Sequence, residues 1–311
     1  MLPVKWEKKG LIYVVDGSLW WAKTHAQVPT VDVIEGNRLR IYYSSRDSEN
    51  RSRTSFFETD ISNPKRILYV HPEPIFELGT PGTFDDCGAM PSWLVKHQGK
   101  TYLYYIGWNV HHTVPYHNAI GLAVSDNGIT FRKCFDGPVM DRTAQEPYFC
   151  GTSCVLVEGH IWRNWYLSCT EWRLINGKQE PRYHLKYAES NDGIHWQRKG
   201  NIAIDYDSLD EGGIVRASVL RHGGIYKMWY CFRSNSGYRE NSTNSYRIGY
   251  AESFDGLKWK RKDNCCGMVV SEQGWDSFMQ AYPHVLEVQG RLNLFYNGNG
   301  FGHSGIGYAT N

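Results

Sequence analysis

The 311-residue sequence has no long apolar run, no block of like charge and no cysteine or histidine spacing typical of a zinc site. Without an apolar run of about 20 residues, a membrane-spanning helix is not expected. The segment MLPVKWEKKGLIYVV lacks the apolar core and cleavage site of a signal peptide. The net charge of +2 is not concentrated into the basic footprint of a nucleic-acid binder. We therefore expect a cytoplasmic protein without nucleic-acid or membrane partners.

The eight cysteines include the close pairs Cys150/Cys154 and Cys265/Cys266, which have no CxxC partner. Cysteine is among the most buried residue types, so free buried thiols are the expectation. We expect no cofactor. A divalent cation in a central channel would need the carboxylates described below, and none of these has metal-site spacing.

Aromatic residues and glycine are abundant, with 21 Tyr, 12 Trp and 31 Gly. This composition favours β-strands and tight turns. Amphipathic helical stretches are missing, which excludes a doubly wound α/β fold.

One phrase occurs three times, as AVSDNGITF (123–131), AESNDGIHW (188–196) and AESFDGLKW (251–259). Fainter copies lie near residues 57 and 308, so five repeats of roughly 60 residues fill the chain. Each repeat contains apolar strands separated by Gly-containing or D/N-G turns, which predicts antiparallel hairpins. Asp192 and Asp255 of the repeated phrase are assigned to these turns and not to catalysis.

These repeats predict an all-β, five-bladed β-propeller with four antiparallel strands per blade. The last repeat ends after its third strand, and KWEKKG (5–10) is similar to the fourth-strand segments of other repeats. The N-terminal strand is therefore predicted to complete the last blade and close the ring, which hides two sheet edges. We expect one domain, 1–311, with blades at roughly 11–70, 71–138, 139–202, 203–264, and 265–311 plus 1–10.

Aligning the predicted inner strands shows an acidic residue five to seven positions earlier in four of the five blades. The first blade has His25 and no acid at this position. Like charges that converge on one opening repel each other, and such arrangements are typical of functional sites. The predicted catalytic residues are Asp86, Glu146, Glu211 and Asp276.

Polar and aromatic residues at the ends of the second strands are predicted to open on the same face. Carboxylates and arginines can hydrogen-bond sugar hydroxyls, while indoles cover the apolar face of a sugar, so a carbohydrate substrate is expected. Asn109 belongs to this rim and is explained as a solvated loop residue. The predicted substrate-binding residues are His25, Arg46, Asp47, Trp108, Glu171, Trp172, Arg216, Arg233, Tyr282 and Asn297.

Segments such as FDDCGAMPSW, RIGYAESFDGLKWKR and YPHVLEVQGRLNLFYNG resemble the five-bladed propeller glycosidases over the full chain. This group includes the arabinosidases and xylosidases of glycoside hydrolase family 43, the invertase-like enzymes, and the mannoside phosphorylases and hydrolases of family 130. The sequence is most similar to propeller proteins associated with bacterial surface-polysaccharide synthesis.

The family-43 pattern implies a base Asp in blade one, a supporting Asp in blade two and an acid Glu in blade three. Asp86 and Glu146 match the last two roles. Blade one has His25 instead of the Asp and lacks the NDP-like motif of invertases. The base or nucleophile must then come from Asp47, Glu211 or Asp276.

Three functions follow from these patterns. The first is a glycoside hydrolase or transglycosylase acting on a bacterial glycan or glycan precursor, with Glu146 as acid, Asp86 as support and Glu211 or Asp276 as base or nucleophile. The second is an inverting phosphorylase that holds phosphate with Arg46, Arg216, Arg233 and His25. The third is a carbohydrate-binding propeller without catalysis. Neither the sugar nor the oligomeric state follows from the sequence.

Overall fold

The computed structural model describes residues 4–311, and strands make up nearly all of its regular structure. The short helical segments are Ser242–Asn244, Asp263–Cys265 and Asn299–Gly302. No helix in the described part of the chain is long and apolar enough to cross a membrane. The strands are β1 Glu7–Tyr13, β2 Thr24–Glu35, β3 Arg38–Arg46, β4 Ser52–Asp60, β5 Asn63–Val70, β6 Gly88–His97, β7 Lys100–Val110, β8 Tyr116–Ser125, β9 Arg132–Lys133, β10 Cys150–Glu158, β11 Ile161–Ile175, β12 Lys178–Ser190, β13 Ile202–Ile204, β14 Glu211–His222, β15 Ile225–Ser234, β16 Arg247–Ser253, β17 Lys260–Arg261, β18 Ala281–Val288, β19 Arg291–Asn297 and β20 Ile306–Thr310.

The strands pair as successive antiparallel groups of four, which we call units 1 to 5. Unit 1 is β2–β5, unit 2 is β6–β9, unit 3 is β10–β13, unit 4 is β14–β17, and unit 5 is β18–β20 with β1. The first strand of each unit contacts the first strand of the next, and β18 contacts β2. The predicted all-β propeller fold is confirmed.

The N-terminal strand is the outer strand of unit 5. β1 pairs antiparallel with β20, with Glu7 opposite Thr310 and Leu11 opposite Gly307. Residues 7–10 of the predicted segment therefore do complete the last unit, and the observed strand continues to Tyr13. The free edge of β20 is covered in this way.

The repeated phrase forms a turn that also joins neighbouring units. In unit 3, Ser190 Oγ accepts from the backbone N–H of Gly193 at 3.0 Å, and Asp192 Oδ1 accepts from the next two N–H groups at 2.8 Å. The Gly193 carbonyl accepts from the Tyr104 hydroxyl of unit 2 at 2.7 Å. The corresponding bonds elsewhere are Tyr42 to Gly128 and Trp165 to Gly256. The phrase is repeated because each copy closes a hairpin and anchors an aromatic side chain of the preceding unit.

The first strand of every unit has a register irregularity close to its N-terminal end. The irregularities lie between Gln27 and Thr30, Pro91 and Trp93, Gly151 and Ser153, Val215 and Ser218, and Ala281 and His284. A β-bulge bends the strand and redirects side chains. Three residues within these bulges have a positive φ: Val28 at 54°, Arg216 at 62° and Tyr282 at 54°. The bulges shape the central opening where the candidate site lies.

Candidate carbohydrate site

An axial pocket of about 110 Å³ lies at the bulged ends of the first strands. It is lined by residues of all five units, which places it at the centre of the ring of first strands. Ligand pockets for drug-sized molecules usually measure about 300–1,000 Å³, so this cavity fits a small group such as one end of a larger ligand. The lining residues are Gln27, Val28, Met90, Ile106, Tyr116, Asn118, Phe149, Gly151, Thr152, Leu167, Tyr183, Val215, Tyr246 and Tyr282.

Aromatic side chains dominate the axial pocket, and none of its lining residues is Asp or Glu. Trp172 extends the aromatic wall beyond the pocket lining. Its ring packs against Tyr116 and Phe149, with centroids 5.3 and 5.6 Å away. Besides the tyrosine hydroxyls, the polar lining side chains are two amides and one aliphatic hydroxyl, from Gln27, Asn118 and Thr152. Flat apolar surfaces combined with a few neutral hydrogen-bonding groups are suited to a polyhydroxylated ring.

Gln27 offers the clearest unused hydrogen-bonding group in this pocket. Its side-chain Nε2 donates to the carbonyl of Phe301 at 2.9 Å, which fixes the orientation of the amide. The Oε1 atom is buried and has no hydrogen-bond partner. A buried acceptor without a partner is costly. A ligand hydroxyl in the pocket would satisfy it.

Arg233 holds two tyrosines of the pocket wall from behind. Tyr183 and Tyr246 hydrogen-bond through their hydroxyls, and the Arg233 Nε lies 3.3 Å from each hydroxyl oxygen. The other guanidinium nitrogens donate to the carbonyls of Ser234 and Pro181 at 2.8 and 3.0 Å. Burial raises the pKa of Tyr246 well above its usual value, so its hydroxyl stays protonated at neutral pH. Arg233 was predicted to bind substrate, and the structure places it as a support of the wall.

The predicted acid in unit 5 is enclosed by groups of its own unit. Asp276 is 1% exposed, and its Oδ2 is 2.7 Å from Lys8 Nζ of β1. The same oxygen accepts from the hydroxyl of Tyr296 in β19 and the amide of Gln280, both at 2.9 Å. Burial acts to raise the pKa of Asp276, but these hydrogen bonds outweigh burial and lower the pKa below its usual value. Asp276 therefore ties the loop before β18 to strands β1 and β19.

Unit 3 repeats this arrangement around Glu146. Both Glu146 oxygens accept from the hydroxyl of Tyr166 in β11, at 3.0 and 3.1 Å. Lys186 and Arg198 lie 3.3 and 3.4 Å from the carboxylate, and Ser168 Oγ donates to it at 3.1 Å. Glu146 is 7% exposed and does not line the axial pocket.

Unit 2 has the arrangement around Asp85 and not around the predicted Asp86. Asp85 is 1% exposed, and its Oδ2 accepts from Tyr105 of β7 at 2.9 Å and lies 2.6 Å from Lys133 Nζ of β9. Asp86 is only partly buried and caps a turn, accepting from the N–H of Gly82 at 2.8 Å. The alignment was therefore displaced by one residue here, and adjacent side chains point in different directions.

In unit 4 the predicted Glu211 forms a two-pronged ion pair with Arg261 of β17, at 2.7 and 2.8 Å. The tyrosine of this unit, Tyr230 in β15, donates to Asp263 at 2.6 Å, and Asp263 also contacts Arg261. We call this recurring arrangement of a second-strand tyrosine, a carboxylate and a cation the tyrosine clamp. Its carboxylates in units 2, 3, 4 and 5 are Asp85, Glu146, Asp263 with Glu211, and Asp276. The four predicted acids thus lie in separate units, and none lines the axial pocket.

Three of the remaining predicted binding residues, Asp47, Glu171 and Asn297, are engaged by other groups of the protein. Asp47 and Glu171 are engaged by arginines, Asp47 by Arg51 and Arg53 and Glu171 by Arg173 and Arg182. Asn297 is buried and holds the first strand of unit 1, accepting from the N–H of Val28 at 2.8 Å. Trp108 and Asn109 are partly buried outside the pocket lining, and Tyr282 is the predicted residue that lines it.

His25 is not cationic at neutral pH. Burial, followed by the nearby charges of Arg46 and His303, lowers the pKa of His25 to about 4. Arg46 donates to Asn50 at 3.1 Å and lies close enough to Tyr282 to affect its pKa. The predicted phosphate-holding set therefore has Arg46 near the pocket, a neutral His25, and two buried arginines.

Several pocket residues were not singled out from the sequence, although the repeat contains a signal for them. Asn118, Tyr183 and Tyr246 each lie five residues before the first residue of a copy of the repeated phrase, at 123, 188 and 251. The third strand therefore contributes the same position to the pocket in three successive units. Thr152 also lines the pocket and was not predicted to bind substrate.

No group of three or more His, Cys, Asp or Glu side chains between residues 4 and 311 could hold a metal ion. All eight cysteines are free thiols, and five of them are buried.

Comparison with known proteins gives a family and a fold. "Uncharacterized protein Rv1502" and "Uncharacterized protein MT1551", from two strains of Mycobacterium tuberculosis, are each 36% identical over 305 residues, which is 98% of this chain and 98% of each relative. The chain belongs to their family. No family model matches it.

Solved structures with similar architecture are described as glycoside hydrolases. A "Glycoside hydrolase" matches with a TM-score of 0.71 and 18% identity, covering 99% of this chain and 92% of the other. A glycosyl hydrolase from Bacteroides ovatus matches with a TM-score of 0.71 and 15% identity, covering 100% and 94%. A structure described as showing that the GH130 family of mannoside phosphorylases contains glycoside hydrolases has a TM-score of 0.70 and 13% identity, covering 100% and 94%. These proteins share the propeller-like fold of this chain.

Proposed function

We propose that this protein binds a carbohydrate in the axial pocket and does not cleave it. The observation that carries this proposal is the pocket lining, which combines aromatic side chains, amides and hydroxyls and contains no carboxylate. Tyr116, Phe149 and Trp172 form a continuous aromatic wall at its side. The pocket volume suits one terminal sugar unit of a glycan or part of such a unit. The rest of the glycan would lie outside, along the aromatic wall.

The hydrogen-bonding groups support a ligand rich in hydroxyls. Gln27 Oε1 is an acceptor without a partner, and its amide orientation is fixed by Phe301. A sugar hydroxyl can donate to this oxygen. An apolar ligand would leave it unsatisfied, at a cost of about 1–3 kcal/mol.

The positions of the acids support binding without cleavage. Glycoside hydrolysis ordinarily needs two carboxyl groups on either side of the scissile bond, about 5–9.5 Å apart. Each predicted acid other than Asp86 is engaged by at least one cation of its own unit. None of these carboxylates lines the axial pocket.

A glycoside hydrolase or transglycosylase is the second candidate, because the fold is shared with glycoside hydrolases. In this mechanism Glu146 would donate the proton, since it lies three residues before Phe149 of the pocket wall. Asp86 would support it electrostatically, and Glu211 or Asp276 would act as base or nucleophile. A phosphorylase is less well supported, since Arg216 and Arg233 are buried and His25 is neutral at pH 7.

The test is a panel of monosaccharides and oligosaccharides, screened by saturation-transfer NMR and followed by calorimetry on any ligand found. We expect a ligand whose affinity falls about 2- to 10-fold in Gln27→Leu, which removes one hydrogen bond. Gln273→Leu, at an exposed amide, is the matched control and should keep full affinity. If no sugar binds, or if Gln27→Leu binds sugar as tightly as Gln273→Leu, the axial pocket is not a carbohydrate-binding site.

Catalysis is tested in the same panel by chromatography after prolonged incubation, with and without phosphate. We expect no product in either condition. Product formation by the wild type that is lost in Glu146→Gln, while the melting temperature is unchanged, would replace binding by hydrolysis as the function. Product that forms with phosphate and not without it would indicate a phosphorylase.

A further inference from the structure

Arg216 is a fully buried arginine that crosses the centre of the molecule. It lies in the bulge of β14 in unit 4 and has no solvent exposure. Its Nη2 donates across the axis to the carbonyl of Pro29 at 2.9 Å and to Thr30 Oγ1 at 3.0 Å, both in unit 1. The same nitrogen is 3.4 Å from His284 Nδ1 of unit 5. The guanidinium therefore spans the channel between the first strands.

The charge of Arg216 has no counter-ion among residues 4–311. No carboxylate lies within ion-pair distance of it, and its Nε and Nη1 atoms are buried without hydrogen-bond partners. Cys154 and Cys231 are the titratable groups that act to retain its charge, but burial raises the pKa of both thiols to about 12. Burial also lowers the pKa of His284 well below its usual value. All three neighbours are therefore uncharged at pH 7.

The guanidinium itself keeps its proton at neutral pH. Burial lowers the pKa of Arg216 to about 10, which is still three units above pH 7. An unpaired buried charge is strongly unfavourable, and buried charges in proteins are ordinarily paired. The Trp93 ring lies 5.5 Å from Cζ and attracts the cation, but neither this ring nor water molecules on the free N–H groups supply a negative charge.

We propose that Arg216 holds a small inorganic anion of halide size inside the axial channel, in contact with its free N–H groups. Chloride is the simplest occupant, since it carries one charge and needs little space. Thr152 lies between the axial pocket and this residue, because it lines the pocket and its Oγ1 accepts from the backbone N–H of Arg216 at 3.3 Å. This site is separate from the proposed carbohydrate site and does not depend on it.

The first test is diffraction from crystals of the wild-type protein grown in sodium bromide, with data collected at the bromine absorption edge. We expect an anomalous peak about 3.3 Å from Nε or Nη1 of Arg216. Water alone at this position, or bromide found only on the molecular surface, would overturn the proposal. A peak from phosphate or sulfate in crystals grown without halide would show an oxyanion site in place of a halide site.

The second test is the melting temperature at constant ionic strength, exchanging sodium gluconate for sodium chloride. Gluconate is too large for a buried site. We expect the wild type to melt about 4 °C higher when chloride is one hundred times its Kd. Arg216→Met should lose this dependence and be at least as stable as the wild type in gluconate, since it removes the uncompensated charge. Arg66→Met removes an exposed arginine of β5 and should keep the full chloride response.

Equal chloride shifts in the wild type and Arg216→Met would contradict the proposal. If Arg216→Met does not fold, Arg216→Lys provides the comparison, because it keeps the charge but presents a compact ammonium at a different position. A weaker chloride response in Arg216→Lys supports the site, and an unchanged response refutes it.

Discussion

The ion pair between Lys8 and Asp276 gives a quantitative test of how the N-terminal strand is held in unit 5. Lys8 Nζ lies 2.7 Å from Asp276 Oδ2, 2.6 Å from Ser271 Oγ and 3.0 Å from the carbonyl of Val269. The perturbation is Lys8→Met, which keeps the length of the side chain and removes the ammonium group. It leaves the Asp276 carboxylate 1% exposed and without its cation.

The magnitude follows from burial. Removing one partner of a buried ion pair costs about 3–5 kcal/mol. Lys8 is 26% exposed, so solvent screens part of this interaction and we expect a loss of about 2–3 kcal/mol. With an unfolding entropy of about 2.1 cal/mol/K per residue, a chain of this length should melt about 3–5 °C lower. Urea unfolding followed by tryptophan fluorescence measures the free energy directly.

The neighbouring Lys9 provides the matched control. It lies in the same strand and pairs with Glu7 at 2.6 Å, but the two side chains are 38% and 73% exposed. Lys9→Met should therefore cost no more than about 1 kcal/mol. The double variant of Lys8→Met with Asp276→Asn should cost less than the sum of the two single variants, because they remove the same interaction. If Lys8→Met costs no more than Lys9→Met, the clamp does not hold the strand.

Three further predictions follow. Gly193→Ala should lower the free energy of unfolding in urea by about 3 kcal/mol, because φ is +74° and a Cβ would lie 2.7 Å from the Tyr104 hydroxyl. Gly177→Ala is the control, since φ is +76° but the space around a Cβ is open, and it should lower the free energy of unfolding by about 1 kcal/mol. The pKa of Asp276 is lowered in the folded state, so its contribution to the free energy of unfolding is present above pH 4 and is lost as the pH falls further. The melting temperature of the wild type should therefore drop more steeply than that of Asp276→Asn between pH 5 and pH 3. A thiol reagent at pH 8 should modify at most three of the eight cysteines in the native protein, with all eight reacting in urea, and rapid native reaction of five or more would contradict the observed burial.

The fold could be predicted from the sequence because its determinants are local and repeated. The Ser190–Asp192–Gly193 turn makes its hydrogen bonds within four residues, so its pattern is visible in the chain. The alternating residue pattern of the strands on either side of this turn is also visible in the chain. Completion of unit 5 by β1 could also be predicted, because the fourth-strand segments resemble one another.

The candidate site could not be predicted equally well, because alignment shows which residues share a position but not where their side chains point. Asp85 and Asp86 are adjacent, yet one is enclosed by Tyr105 and Lys133 and the other caps a turn. The sequence also contains no direct sign that Arg233 lies behind the pocket wall. Its orientation depends on Tyr183 and Tyr246, which lie 50 and 13 residues away in the chain.

The recurrence of acids at matched positions has a structural explanation within this chain. Each of the four units with such an acid also has a second-strand tyrosine and a cation that contact a carboxylate of the same clamp. Unit 1 has no acid at this position, and its equivalent tyrosine, Tyr43, instead shares a hydrogen bond of 2.8 Å with the hydroxyl of Tyr13. A catalytic cluster would require the acids to face one ligand. A clamp requires each acid to face its own unit, and the contacts follow the second pattern. In this chain the recurrence of the acids is therefore accounted for by the tyrosine clamp.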